Sequence, residues 1–344
     1  MTPQGAHAPQ LAEAGRRAAN GVTMMAVARP VCILGWALCV SALCGAEASY
    51  ELTGRLDPPR GRVLVMLDGA TSPYTAHTFS DSKGRFRFRD LAAGPYTLRM
   101  FVPGLDETQR TVEVSRSLAD SGRRVNLTVP FDPSSSSRQA QERKHTVSVR
   151  ELSLPDSAIR EYKEAQVLLG KNEVAAAIKR LERAVEIAPQ FTAAWNNLGT
   201  IAYQSRRFAD SERYFRSALE REPGAYAPAL NLGGVLVTVG RHTEALEYNL
   251  YAVQQDPNDA LGQAQLGMTY FFLNKLDLAM KHLKEAKRLD ASHFSHPQRY
   301  LAQIYVRLGD EKAALAELED FVRRHPDAPE AVEIQSRLLE LRGR

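Results

Sequence analysis

The C-terminal half of this chain repeats itself every 34 residues, and that interval limits the folds available to it. The tripeptide that begins at Asn197 returns at Asn231, and a glutamine version of it begins at Gln265. Proline recurs at the same interval, at Pro189, Pro223 and Pro257. Helix propensity alone sets no such interval, so we predict an array of copied structural units in this half of the chain.

The unit from 192 to 225 shows the repeated pattern most fully. Its matching residues are Trp195, Leu198, Gly199, Phe208, Phe215, Ala218 and Pro223. A 34-residue period with these residue types resembles the tetratricopeptide repeat, although Ala202 stands where an aromatic residue is usual. The resemblance implies pairs of helices that stack into an all-α superhelical solenoid.

Small residues recur where such helices would have to approach closely. The glycine row, Gly199, Gly233 and Gly267, falls where the two helices of one unit cross, and proline ends the second helix. We count five units, at 158–191, 192–225, 226–259, 260–293 and 295–328. A last helix follows, and we expect its apolar residues to cover the open end of the stack: Val332, Ile334, Leu338, Leu339 and Leu341.

Residues 49–130 show a different period, in which apolar and polar residues alternate. The alternation places Phe86 and Phe88 on one face and the flanking arginines on the other. Short strands are predicted at 62–67, 85–91, 96–102, 110–114 and 125–131, with turn residues between them. This pattern favours a small antiparallel β-sandwich.

The run from Ser80 to Gly104 resembles the carboxypeptidase-regulatory-like, transthyretin-related sandwich. The matching residues are Gly84, Phe86, Phe88, Leu91, Gly94, Tyr96, Leu98 and Gly104. The resemblance implies an accessory domain without chemistry of its own, and some relatives bind sugars. We interpret the aromatic residues of this run as core packing.

The first 48 residues are typical of a signal peptide. Three arginines precede a 13-residue apolar run from Val31 to Leu43, which is short for a membrane span, and small residues follow it. We therefore predict an exported protein, periplasmic or secreted, with no membrane span after signal removal. A buried N-terminal helix is the alternative interpretation.

All three cysteines, Cys32, Cys39 and Cys44, lie in this predicted signal segment. A mature chain without them would have no disulfide, no cysteine zinc site and no thiol nucleophile. Leucine precedes both Cys39 and Cys44, which argues against lipidation. The polar, serine-rich stretch at 131–157 is predicted to be a flexible linker, which would divide the mature chain into a sandwich at 49–130 and a helical domain at 158–344.

Composition and motifs exclude several classes of function. The net charge is +4, from 44 basic and 40 acidic residues, and we find no basic run interleaved with aromatic residues, so nucleic acid is not an expected partner. Zinc-protease, serine-hydrolase and phosphate-loop motifs are missing from the sequence. His293 and His296 have a spacing that could hold a metal ion, but we interpret them as a surface turn. We predict no enzyme activity, no cofactor and no metal site.

A solenoid of this kind has one obvious functional surface, the concave wall formed by the first helix of each unit. The wall residues that we predict to contact a ligand are Asn196, Asn197, Thr200, Tyr203, Asn231, Gln265, Met268, Phe271, Phe272, Arg299, Gln303 and Arg307. The amides could hold a peptide backbone, the two phenylalanines could form an apolar pocket, and the arginines favour an acidic ligand. The asparagines have a second interpretation, as residues that only bond the neighbouring repeat.

These features predict an exported, non-enzymatic scaffold that binds a protein or an extended peptide in the groove of its helical array. The alternative function is that of an accessory protein that binds carbohydrate or another envelope component through the sandwich, with the repeats as a spacer. Basic and aromatic residues on the sandwich would favour this alternative.

Overall fold

The computed structural model describes residues 49–101, 108–130 and 154–342. The predicted signal segment, and the predicted linker up to residue 153, lie outside these residues. Seven strands come first: β1 Tyr50–Asp57, β2 Leu64–Gly69, β3 Thr75–Phe79, β4 Arg85–Leu91, β5 Gly94–Phe101, β6 Thr108–Val114 and β7 Arg124–Pro130. The predicted β-rich region followed by a helical array is confirmed.

The strands form two sheets that enclose one core. The order is β4-β1-β7 in the first sheet and β3-β2-β5-β6 in the second. Alternate residues of each strand point inwards, so Phe86, Phe88, Tyr96 and Leu98 are all at most 5% exposed. The ladders are antiparallel except one, because β1 pairs in parallel with β7. The expectation of a purely antiparallel sandwich is corrected at that ladder.

Eleven helices follow in the part of the chain that the structure describes. They are α1 Asp156–Gly170, α2 Val174–Ile187, α3 Thr192–Gln204, α4 Phe208–Arg221, α5 Tyr226–Thr238, α6 His242–Gln255, α7 Ala260–Phe272, α8 Leu276–Leu289, α9 Pro297–Leu308, α10 Glu311–Arg324 and α11 Ala331–Arg342. The first ten make five pairs at the five predicted units. None of the described helices is both long and apolar enough to cross a membrane.

The repeated glycines lie where the two helices of a unit come into close contact, as the repeat pattern predicts. A Cβ atom on Gly199 would stand 2.5 Å from the ring of Phe215, and one on Gly267 would stand 2.7 Å from Leu283. Both partners lie on the second helix of the same unit and are buried. The absence of a side chain at these glycines therefore lets the two helices of a unit cross in contact.

The last helix covers the end of the stack with fewer residues than predicted. Leu338 is 7% exposed and Ile334 is half-buried, but Val332 and Leu339 are 71% and 62% exposed. Of the expected cover, Val332 and Leu339 therefore face solvent, because they project from a different side of α11 than Leu338. The side chain of Leu341 lies outside the described residues.

The strands and helices also touch one another. The backbone N–H of Thr111, on edge strand β6, donates to Asp290 Oδ2 at 2.8 Å, and Gln204 Nε2 donates to the Gly69 carbonyl at 3.0 Å. The carbonyl of Thr75 on β3 lies against Gly170 at the end of α1. Strand β6 is an edge strand, and an uncovered edge can pair with a strand of another chain. Asp290 accepts from one of the backbone N–H groups on this edge and so helps to cover it.

Candidate functional site

The first helices of the pairs form a continuous wall. Helix α3 contacts α5, α5 contacts α7, and α7 contacts α9. First helices of neighbouring repeats approach in this way on the inner side of a solenoid, so this wall is the concave one. It carries the residues that the sequence singled out, on α3, α5, α7 and α9.

Hydrogen bonds join neighbouring repeats along this wall. Asn197 Nδ2 donates to the Tyr162 hydroxyl at 3.2 Å, and Asn231 Nδ2 donates to Asn196 Oδ1 at 3.0 Å. Each bond crosses from one unit to the preceding one. The asparagines therefore bond side chains of the neighbouring repeat, and their amide oxygens are the atoms left to accept from a ligand.

Two hydroxyl groups add to the same network. The Tyr203 hydroxyl lies 3.0 Å from Thr238 Oγ1 in the next unit, and Thr200 Oγ1 donates to the Asn196 carbonyl at 3.1 Å. Thr200 is half-buried, whereas the Tyr203 side chain is 37% exposed. The rim residue Tyr203 is thus both a link between units and an accessible surface.

The row of amides changes at Gln265. Its side chain is 6% exposed, and its Oε1 atom has no hydrogen-bond partner among the described residues. Asn231 bonds Asn196 of the preceding unit. The equivalent neighbour of Gln265 is Leu230, which has no polar side chain, so Gln265 lacks the corresponding partner. Gly234 makes room for the longer amide, since a Cβ atom there would lie 2.5 Å from Gln265 Nε2. A buried carbonyl left without a donor costs stability, and this oxygen is covered by protein rather than open to the groove.

The two phenylalanines of α7 have different environments. Phe271 is 4% exposed and packs in the core, beneath the guanidinium of Arg307 at 4.3 Å from its ring. Phe272 is 45% exposed and stacks on His242, with ring centroids 4.3 Å apart. Tyr300 of the next unit contacts both rings. Only Phe272 of the pair therefore presents apolar surface to a ligand.

The two arginines also differ. Arg299 Nη1 lies 2.9 Å from Glu330 Oε1, and its guanidinium lies over the ring of Phe321. Arg307 is exposed and has no carboxylate partner among the residues that the structure describes. Arg307 is thus the available cation at this end of the wall. The remaining predicted residues, Met268 and Gln303, are half-buried.

Three histidines, of which His293 and His325 are buried and His296 is half-buried, form a cluster that the sequence did not predict. His293 is 1% and His325 is 4% exposed, and the rings of His296 and His325 lie 4.3 Å apart. Burial lowers the pKa of His296 to about 3 and that of His325 to about 4, because the charged imidazolium loses its water. The expectation that His293 and His296 form a surface turn is therefore wrong. The turn between α10 and α11 carries His325, which packs against the turn that contains His293 and His296.

The described residues contain no group of three histidine, cysteine or acidic side chains arranged to hold a metal ion. The histidines of the cluster point unpartnered nitrogens into protein: His293 Nε2, His296 Nδ1 and His325 Nε2. Among the described carboxylates, that of Glu113 on β6 has its pKa raised to about 7 by burial and by the nearby Asp327. It lies where the strands meet the helices, away from the concave wall.

Comparisons with family models match the helical part of the chain. Models described as "Tetratricopeptide repeat" match residues 162–210 and 197–260, then 262–293, then 295–338. These matches cover the five helix pairs from α1 to α10 and the start of α11.

Among curated proteins, two subunits of the anaphase-promoting complex are similar to this chain. Subunit 3 of Schizosaccharomyces pombe is 26% identical over 157 residues, which cover 46% of this chain and 24% of that protein. Subunit CDC16 of Saccharomyces cerevisiae is 28% identical over 174 residues, which cover 47% of this chain and 20% of that protein. The chain thus spans about a quarter or less of the length of these relatives.

Solved structures show likeness over about half of the chain. MamA, residues 41 to the end, from Desulfovibrio magneticus RS-1, has a TM-score of 0.46 at 18% identity, covering 52% of this chain and 99% of that one. YrrB, described as "a TPR protein with an unusual peptide-binding site", has a TM-score of 0.44 at 23% identity, covering 52% and 92%. PilW, described as a type IV pilus biogenesis factor, has a TM-score of 0.48 at 18% identity, covering 55% and 87%.

Proposed function

Because residues 162–338 of this chain are tetratricopeptide repeats, we propose that the protein is a non-enzymatic scaffold that binds an extended segment of a partner protein. The ligand lies along the concave wall formed by α3, α5, α7 and α9. The observation that carries this proposal is the exposed Phe272 next to Arg307, whose guanidinium stacks on the adjacent ring of Phe271 and has no carboxylate partner among the described residues. An apolar surface and a cation on one wall, with the half-buried amides of Asn197 and Asn231 along it, are the elements of a peptide site.

Each element has a role in this complex. The amide oxygens of Asn197 and Asn231 accept hydrogen bonds from backbone N–H groups of the ligand, which needs no particular ligand sequence. Phe272 contacts an apolar side chain of the ligand. Arg307 pairs with a carboxylate next to that side chain, and its stacking on Phe271 holds the guanidinium in place. The ligand is therefore an extended segment that carries an apolar residue beside an acidic one.

The proposal is tested by substituting the two accessible groups. Phe272→Ser with Arg307→Gln removes both groups together with their contacts to the ring of Phe271, so the melting temperature of the variant is compared with that of the wild type before affinity is measured. We expect the dissociation constant for the co-purified partner to rise about tenfold or more, measured by isothermal titration calorimetry on the full chain. The matched control is Leu278→Ser with Lys281→Gln, two exposed residues of α8 on the outer helices. Equal affinity of the groove variant and the wild type, with weakening in the control, would move the site to the outer wall.

Substitution of Asn197 and Asn231 with alanine is a less selective test. Each amide donates to a neighbouring unit, so the double variant is expected to lower the melting temperature as well as the affinity. Each lost hydrogen bond is expected to reduce the free energy of unfolding, and likewise the free energy of binding, by about 1 kcal/mol. The Phe272 and Arg307 substitutions separate binding from stability more cleanly.

A second candidate function is the binding of an envelope carbohydrate by the β-sandwich. The observation that favours it is the exposed face of β4, β1 and β7, which carries arginines, with the ring of Phe79 beside it at 62% exposure. The carboxypeptidase-regulatory-like identity of this domain is part of the same proposal. Its support is local: Phe86, Phe88 and Tyr96 are core residues, and Gly84 has a φ of 74°, which favours glycine.

We also propose that the protein is exported. The support is the order of basic, apolar and small residues before residue 49. The mature chain then begins near Glu47 or Ser49. N-terminal sequencing of the native protein tests this, and an uncut N-terminus on the cytoplasmic pool would contradict it.

A further inference from the structure

The outer face of the three-stranded sheet carries two rows of polar side chains. Across the β4–β1 ladder Arg85 stands opposite Arg55, and Thr128 of β7 continues that row. The next row consists of Arg87, Thr53 and Asn126. All point away from the core, because Phe86, Phe88 and Leu52 occupy the alternate positions.

Most arginines of this face have carboxylate partners, but two do not. Arg85 pairs with Asp81 at 2.8 Å, Arg89 with Glu51 at 3.5 Å, and Arg124 with Asp120 at 3.5 Å. Arg55 and Arg87 are exposed and form no ion pair with any residue that the structure describes. They sit on adjacent strands, diagonal to each other across the ladder.

This arrangement costs stability unless something neutralises it. Like charges directly opposite on paired strands repel, and Arg55 faces Arg85 in the register. Asp81 offsets the charge of Arg85 only. An anion placed between Arg55 and Arg87 would remove the remaining repulsion, and guanidinium groups bind carboxylates in a two-pronged geometry.

The surroundings of the two arginines form a shallow open groove. It is lined by the hydroxyls of Thr78 and Thr128, by the hydrogen-bonded pair Thr53 and Asn126, by the carboxylate of Asp81 that pairs with Arg85, and by the exposed ring of Phe79. Hydroxyl and amide groups both donate and accept, which suits the hydroxyls of a sugar, and an aromatic ring can stack on the apolar face of a sugar ring. We propose that this face binds an acidic polysaccharide, whose carboxylates pair with Arg55 and Arg87. The proposal rests on the second candidate function and gives its ligand a chemical class.

Other polymers fit the face less well. A protein partner would need an apolar anchor in a desolvated pocket, and Phe79 is the large apolar side chain that this groove exposes among the described residues. Single-stranded nucleic acid would need a series of aromatic rings for successive bases, where this groove offers one exposed ring. A membrane surface would need protruding apolar residues rather than a recessed polar groove.

The experiment measures binding of the full chain to polygalacturonate, which carries one carboxylate per sugar, with neutral dextran as the reference polymer. At low ionic strength we expect the wild-type protein to bind polygalacturonate and not dextran. Arg55→Gln with Arg87→Gln should weaken that binding about tenfold or more. Both side chains are exposed, and the change relieves the repulsion between Arg55 and Arg85, so a melting temperature equal to or slightly above that of the wild type is expected.

Two further variants make the result decisive. Arg110→Gln with Arg337→Gln removes the same charge from exposed positions on β6 and α11, and should leave the binding unchanged. Phe272→Ser with Arg307→Gln should also leave it unchanged, which separates this site from the peptide groove. The proposal is overturned if the Arg110 and Arg337 variant loses affinity equally, if dextran binds as well, or if poly-glutamate or single-stranded DNA binds more tightly through Arg55 and Arg87.

Discussion

Replacing Phe215 with alanine is expected to lower the free energy of unfolding by about 3 to 5 kcal/mol. The ring is 1% exposed and fills the space above Gly199, where the two helices of the second unit cross. It also belongs to a core cluster with Leu232, Val235 and Leu236 of the third unit. The truncation therefore leaves a cavity inside one repeat and weakens its contact with the next.

Urea denaturation followed by circular dichroism at 222 nm measures this effect. Because a solenoid is stabilised by contacts between neighbouring units, a shift of the whole helical transition to lower urea is expected. Leu278→Ala is the control, since that side chain is 40% exposed on α8 and its loss should cost less than about 0.5 kcal/mol. Similar midpoints for the two variants would mean that the close crossing of α3 and α4 is not a stabilising contact.

Acidification is expected to destabilise the end of the array through the buried histidines. In an unfolded chain each histidine has a pKa near 6.5, whereas burial holds the pKa of His296 at about 3 and of His325 at about 4 in the folded chain. The pKa of His293 is lowered as well, with burial as the main cause. Below about pH 6.5 the unfolded chain therefore takes up protons that the folded chain does not, and stability falls as the pH falls.

Charged neighbours modify this effect without reversing it. Arg299 and Arg324 lower the pKa values further, while Asp290, Asp259 and Asp320 oppose the shift. Glu113 acts in the other direction, because its pKa in the folded chain is about 7. Its contribution to the stability of the fold therefore decreases as the pH rises and returns on acidification. A loss on the order of 2 kcal/mol for each of His296 and His325 is expected between pH 7.5 and 5.

The measurement is the urea midpoint at pH 7.5 and at pH 5 for the wild type and for His296→Gln with His325→Gln. The variant should lose less stability on acidification than the wild type. His77→Gln, at an exposed position on β3, should behave like the wild type. Parallel losses in the wild type and the double variant would contradict a role for the cluster.

The helical array was predictable from the sequence because the same packing requirement recurs at equivalent positions of several repeats. Gly199 and Gly267 fall at equivalent positions, and each meets a buried side chain of its own second helix. Strand β1 was not predicted because Gly54 interrupts its apolar alternation. That glycine is required by packing, since a Cβ atom there would lie 2.1 Å from the ring of Phe86. Strand β3 is a short edge strand without apolar alternation, which leaves no periodic signal.

The details of the wall depend on neighbours far along the chain. The period places Phe271 and Phe272 on the wall together, but Tyr300 of the next unit helps to decide which ring is covered. Arg299 is engaged by Glu330, 31 residues later. His293 is buried by a turn that lies beyond the next helix pair. Such pairings depend on the rotation between repeats, which no single unit's sequence determines.

The central claim, that the concave wall holds an extended segment of a partner, is tested most directly by photo-crosslinking in the native cells. A photoreactive phenylalanine at position 272 lies on the wall, and one at 278 lies on the outer helix α8 with similar exposure, 45% against 40%. We expect position 272 to crosslink to an acidic, extended segment of one protein, and Arg307→Gln to abolish that adduct. Crosslinking of the same partner from 278 but not from 272 would contradict the account.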